Sequence, residues 1–171
     1  MLSFKTIIKE KIEPFESIVS NHSHYLAHTK DNLREKEQLA KHIDLVTDYA
    51  LSLIDCFKLE GVIDRIILQL VDKGEFINKS QAVVFIKTLF LKTIVFHDFG
   101  KVNENFQKEK MDNPLFTKLV QNEISTHHSL LSSFLFILDS FNRSYNENSE
   151  KEDKKKYLIF SILFAHPILR H

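Results

Sequence analysis

Cysteine occurs once in this chain, at Cys56, which excludes an intrachain disulfide framework and any cysteine-rich zinc site. Tryptophan is absent, and glycine and proline occur only three times each against fifteen phenylalanines, a balance that points to a helix-rich chain. Neither sign of charge is in excess, with 23 Lys and Arg against 23 Asp and Glu. Wholesale electrostatic capture of nucleic acid is therefore not indicated, although a local basic patch stays open. Long apolar runs are missing too. Ala82 to Phe96 comes closest to the roughly 20 residues of a membrane span, and Lys87 and Lys92 interrupt it. The first dozen residues carry charges throughout and offer no signal-peptide core. A cytoplasmic protein without membrane contact is the expectation. Cys56 lies among Leu53, Ile54 and Phe57, which predicts a buried, inert thiol.

What is present reads as helix. Hydrophobic residues make up 43% of the chain, and at this length one domain buries about 70% of its unfolded surface. Phe4, Ile7, Ile8, Ile12 and Phe15 outline a first amphipathic segment, disturbed at Pro14, and a polar loop is expected from Asn21 to Asn32. Leu39, Ile43, Val46, Ala50, Leu53 and Phe57 mark a long helix ended by Gly61, followed by a short helix over Val62 to Val71. Ser80 is the expected N-cap of the apolar helix running to His97. Pro114 is expected to open a short helix after the charged segment from Lys101. His128 to Phe141 forms another helix, with Leu131, Phe134, Leu135 and Leu138 on one face. Asn142 to Lys156 reads as a surface loop, and Tyr157 to Leu169 as a last helix apolar along Ile159, Ile162, Leu163 and Phe164. No repeat and no second domain emerge. The expectation is one all-α bundle of about six or seven helices. The apolar last helix meets no cap at Arg170-His171, which predicts a domain cut from a longer polypeptide.

The run Phe96-His97-Asp98-Phe99-Gly100-Lys101 carries the most chemistry. An imidazole beside a carboxylate, at the end of a buried helix, suits a divalent transition metal. Gly100 is expected to let the backbone turn. Nine histidines fall at 22, 24, 28, 42, 97, 127, 128, 166 and 171. His42 lies on the apolar face of its helix, where a lone histidine is more often a satisfied core residue than a ligand. His97-Asp98 shifts that balance, since a metal needs ligands from several elements. A third helix opens at Thr126-His127-His128-Ser129, and a fourth ends with His166 and His171. Four helices thus bring a histidine to an apolar face or a helix end, a convergence that bundle cores use for dimetal sites. His22 and His24 read as solvated, and His28 as a cleft residue rather than a ligand. Lys101 reads either as a charge complementing a helix C-terminus or as a phosphate contact.

These residues resemble the HD superfamily of metal-dependent phosphohydrolases, and most closely the HD nuclease domain of the CRISPR-associated type I interference nuclease-helicase. Leu26-Ala27-His28-Thr29 resembles that family's Ala-His-Ser segment, and Leu39-Ala40-Lys41-His42 its first histidine motif. His97-Asp98-Phe99-Gly100-Lys101 resembles its His-Asp-x-Gly-Lys motif, with Phe106-Gln107 fitting downstream. His128-Ser129-Leu130-Leu131-Ser132 resembles its His-x-x-Leu-Ser, and Ile168-Leu169-Arg170-His171 the approach to a His-His-Gly motif. The likeness runs from about Tyr25 to the end, so residues 1–171 would form an HD nuclease domain, truncated at its C-terminus.

By this resemblance His42, His97 and Asp98 would hold one metal, and Asp98 would bridge to a second held also by His128 and His171, with His166 a rival for His171. The second histidine of the family's pair and its later aspartate are absent, which predicts incomplete metal binding. Histidine-rich ligation suits Mn, Ni, Fe, Co or Zn better than Mg. Two such ions lower the pKa of water to about 7 and polarise a phosphate, with Asp98 and Lys101 as the catalytic side chains. The implied activity is hydrolysis of single-stranded DNA, with RNA as a further substrate. The implied partners are a helicase subunit or domain and a CRISPR interference complex. Two alternatives stay open: an HD-type phosphohydrolase of nucleotides or cyclic nucleotides, and a degenerate HD docking module.

Overall fold

A computed structural model of the chain describes residues 1–29, 36–117, 127–146 and 150–171. Its elements are α1 (Phe4–Lys11), α2 (Phe15–Ile18), β1 (Leu26–Thr29), β2 (Lys36–Gln38), α3 (Leu39–Cys56), α4 (Glu60–Lys73), α5 (Lys79–Val95), α6 (Glu104–Glu109), α7 (His128–Asn146) and α8 (Lys151–Arg170). Short 3-10 turns occupy His22–His24 and Phe99–Val102. Seven of the described helices are longer than a single turn, as expected of an all-α bundle. None of them is long and apolar enough to cross a membrane.

Helix α5 is the axis of the bundle. It packs against α1, α3, α4, α7 and α8, and a helix contacted on every side is apolar on every side. The two lysines that interrupt its apolar run are buried and paired. Lys87 lies 2.9 Å from Glu60 Oε1 and 2.6 Å from Asp64 Oδ1, with the Phe4 ring 4.3 Å beneath its ammonium. Lys92 pairs with Asp139 of α7. Phe85, Leu89 and Phe96 of this region join Phe136, Tyr157 and Ala165 in the main core.

Several elements differ from expectation. The Asn21–Asn32 stretch holds a 3-10 turn and β1, which pairs antiparallel with β2; residues 30–32 lie outside the described residues. Gly61 sits inside α4, and the chain turns instead at Lys58, whose φ is 52°. Asn78, not Ser80, caps α5 by accepting from the Gln81 amide. In the segment expected to be merely charged, α6 forms behind the cap Asn103; residues 114–117 are turn or irregular, and the rest of the helix expected from Pro114 lies outside the described residues. Cys56 is exposed, two residues or about 200° of helix from the buried Ile54.

The expected loop from Asn142 to Lys156 is largely helix, with residues 147–149 outside the described set. Asp153 explains its start. Its side chain is fully buried and accepts the Ile77 and Asn78 amides, each at 3.0 Å. The apolar stripes of α7 and α8 also face outward in part: Phe134, Leu138, Ile159, Ile162 and Leu163 are exposed. The sides turned inward carry Ser132, Ser133, Phe136 and Ser140 on α7, and Tyr157, Ser161 and Ala165 on α8. Small residues there let the two helices lie close to their neighbours. Asp153→Ala leaves two amides without their acceptor and is expected to cost about 2 kcal/mol in urea unfolding, with Asp153→Asn losing about half as much.

Candidate metal centre

Asp98 is 1% exposed and stands at the end of α5, where the chain leaves the helix through Phe96 and enters the Phe99–Val102 turn. Its two oxygens face different sets of residues. Oδ2 lies 3.2 Å from His42 Nε2, 3.4 Å from His97 Nε2 and 2.8 Å from the Lys101 ammonium. Oδ1 lies 3.2 Å from His128 Nε2 and 3.4 Å from His171 Nε2. The residues expected at the site, His42, His97, Asp98, Lys101, His128 and His171, thus meet at one carboxylate, drawn from α3, the end of α5, the following turn, α7 and the end of the chain.

The local chemistry explains each placement. Leu39 and Ile43 bury one side of α3 and leave His42 at the edge of that face, partly covered. His97 Nδ1 lies 2.7 Å from the Ile94 carbonyl and donates to it, so a neutral His97 presents a lone pair at Nε2. His128 and Ser132 are one turn apart on the same face of α7. Ser132 Oγ accepts the Gly100 amide at 2.7 Å while His128 faces Asp98. Phe106 stands edge-on to the His128 ring with centroids 5.0 Å apart.

Gly100 has a different reason from the one expected. Its φ is not positive, so no left-handed turn requires it. A Cβ there would lie 1.9 Å from the His128 carbonyl oxygen and 2.7 Å from the Ser132 amide nitrogen. Only glycine lets α7 approach the His-Asp turn this closely.

Lys101 is 5% exposed, and its ammonium also donates to the Ala27 carbonyl at 3.1 Å. That carbonyl belongs to a bulge: Leu26 pairs with Gln38 and His28 with Glu37, which leaves Ala27 as the extra residue of β1. The fully buried Gln107 holds the strand in place. Its Oε1 accepts the Leu26 amide at 2.9 Å, and its Nε2 donates to the Leu26 and Lys101 carbonyls at 2.8 Å. Lys101 therefore spends its charge on Asp98 rather than toward solvent.

The electrostatics favour a cation. Burial pushes the Asp98 carboxyl up, but His128, His97 and Lys101 outweigh it and hold the group well below the usual carboxylate range. Burial lowers His42 and His171 below the ordinary histidine value, despite the opposing pull of Asp98. Both are then unprotonated at neutral pH, as a ligand must be. Asp98 Oδ1 and His128 Nε2 are each buried without a hydrogen-bond partner, although 3.2 Å apart. His97 Nε2 likewise faces the Asp98 carboxylate at 3.4 Å. A buried carboxylate oxygen and a ring nitrogen left without good hydrogen-bond geometry at 3.2 Å are atoms a cation between them would satisfy.

Grouped by ligand atoms within 4.8 Å of one another, His42, His97 and Asp98 form one set able to hold a metal, and Asp98, His128 and His171 a second. His166 is exposed and joins neither. His28, Glu37 and His42 form a third set. Glu37 was not foreseen, because only the β1–β2 pairing brings it to His42; the single hint in the sequence is its position five residues before that histidine.

No family model, no curated protein and no solved structure matches this chain. The metal-binding capacity rests on the geometry alone.

Gly100→Ala drives a methyl group into the first turn of α7. It is expected to lower stability by about 3 kcal/mol and to displace His128, read as a fall in unfolding midpoint and a shift in the His128 ring resonances.

Proposed function

We propose that the chain is an HD-type metal-dependent phosphohydrolase, and within that class a nuclease for single-stranded DNA in CRISPR interference. The observation that carries the first part is the two-sided Asp98. One buried carboxylate presents Oδ2 to two imidazoles and Oδ1 to two others, which is the donor arrangement a carboxylate bridge between two ions needs. The donor set is four imidazoles and one carboxylate, a chemistry that favours Mn, Fe, Co, Ni or Zn over Mg. The nuclease assignment is supported by the ordered motifs, including Ala27-His28-Thr29 before the His-Asp pair and His128 to Ser132 after it.

Bound divalent ions would supply Lewis acidity at the phosphodiester and a nucleophile from water at neutral pH. The chain's own residues prepare that chemistry. His42 and His97 would hold an ion on one side and His128 and His171 one on the other, with Asp98 a ligand available to both. Lys101 keeps Asp98 ionised and fixed, and Ala27 and Gln107 keep Lys101 from moving toward solvent. The imidazole of His171 is half exposed, against 16% for His42, 17% for His97 and 22% for His128.

Purified protein is expected to take up Mn or Ni and to nick circular single-stranded DNA. His97→Ala combined with Asp98→Ala abolishes both, as measured by metal analysis and gel mobility of the circle. Metal content unchanged in the double variant overturns the site. Release of phosphate from nucleotides with the DNA circle intact moves the assignment to a nucleotide phosphohydrolase, and retained partner binding without metal moves it to a docking module.

A further inference from the structure

We infer that Glu37 is a positioning residue, whose carboxylate holds the His42 imidazole with its Nδ1–H outward and its Nε2 turned to the Asp98 pocket. The inference rests on the proposed reading of His42 as a metal ligand and adds a residue that none of the motifs contains.

The argument starts from the ring. A neutral imidazole has one N–H and one lone pair. His42 is faced by a carboxylate at each end, Glu37 Oε2 at 3.4 Å from Nδ1 and Asp98 Oδ2 at 3.2 Å from Nε2. When the Nε2 lone pair serves a cation, the proton belongs on Nδ1, and among the described residues the carboxylate there is that of Glu37. A contact of 3.4 Å is long for a hydrogen bond, and such contacts tighten when a site fills. His97 meets the same requirement in its own way, with Nδ1 against the Ile94 carbonyl. Both histidines on the Oδ2 side thus have an acceptor behind them, the arrangement that fixes ring orientation and raises ligand basicity.

The scaffold around Glu37 is built to place it. The bulge at Ala27 sets His28 directly across from Glu37, and residues paired in this way project to the same face of the hairpin. The hairpin is tied down at its open end, by Gln107 on Leu26 and by the Leu39 amide, which donates to the Tyr25 carbonyl at 2.9 Å. Glu37 is about one-third exposed, so it is placed by the strand rather than by burial. His28 stands edge-on to His42 with centroids 4.8 Å apart. A third ion held by His28, Glu37 and His42 is the competing use of the same groups. It would draw on both nitrogens of His42, which then carries no proton at all, so a third ion and the positioning role exclude each other.

The test uses the full chain loaded with Zn(II) by titration against a chromophoric chelator, with long-range proton–nitrogen NMR of the imidazole rings. Glu37→Leu is expected to keep the metal stoichiometry, to weaken one ion about 10- to 100-fold, and to lose the His42 Nδ1–H signal to solvent exchange. Glu37→Gln keeps an acceptor oxygen and is expected to restore most of the affinity and the signal. A leucine variant that does not fold leaves the glutamine variant to decide, since it must retain the Nδ1–H signal for the inference to stand. Affinity and signal unchanged in Glu37→Leu overturn the inference alone. Three zinc ions in the parent chain and two in Glu37→Leu overturn it in favour of a third ion site. No zinc in the parent chain overturns the metal reading and the inference together.

Discussion

A carboxylate with 1% exposure persists in a protein interior only if positive charge or donors surround it, and the architecture around Asp98 answers that requirement. Lys101 provides the fixed cation. It is itself nearly buried, so its remaining valence must be met, and the Ala27 carbonyl meets it. That carbonyl is displaced from regular strand pairing by a bulge, and Gln107 locks the bulged strand to the turn that carries Lys101. A single buried charge thus accounts for a lysine, a bulge and a glutamine, three features far apart in sequence. Four imidazole rings then stand around the same carboxylate, two near each oxygen.

The site was more legible in the sequence than the fold details were. His97-Asp98 stood out by its place at a helix end, His42 gained weight only beside that pair, and His128 was picked out at a helix start and by the resemblance of His128 to Ser132 to a family motif. These are local signals, and local geometry decided them. Glu37 and the reason for Gly100 were not legible, because both depend on where a distant element comes to rest. Glu37 needs a strand pairing that three residues, Lys36 to Gln38, are too short to announce. Gly100 needs α7 in contact with its Cα, a fact held in no neighbouring residue. The choice between His166 and His171 was of the same kind: five residues apart on or beside one helix, they differ by about 140° in direction, and only the packing of α8 selects.

The helix faces show a related limit. Apolar periodicity located α7 and α8, but only part of the expected stripes, Leu135 and Phe164 among them, packs inward, because beside Phe136 and Tyr157 the inner sides carry Ser132, Ser133, Ser140, Ser161 and Ala165. Hydroxyls of small size pack against a neighbour as readily as they hydrogen-bond; Ser161 returns its proton to the Tyr157 carbonyl at 2.8 Å and hides its polarity. The same logic reversed explains α5, where lysines read as interruptions but lie in the core because acids on α4 and α7 reach them.

The bulge at Ala27 carries a consequence of parity. In a regular strand the side chains of residues 26 and 28 share one face and residue 27 takes the other. Here Leu26 and Ala27 are both buried and His28 emerges on the exposed side. One extra residue sets two steps of β1, Leu26 to His28, against a single step of β2, Gln38 to Glu37. Deleting Ala27 would leave Leu26 opposite Gln38 and His28 opposite Glu37 in regular register, and would remove the carbonyl that Lys101 reaches. The Lys101 ammonium would then face Asp98 alone. The charge balance of the pocket is, in this sense, written in the length of a strand as well as in the identity of its residues.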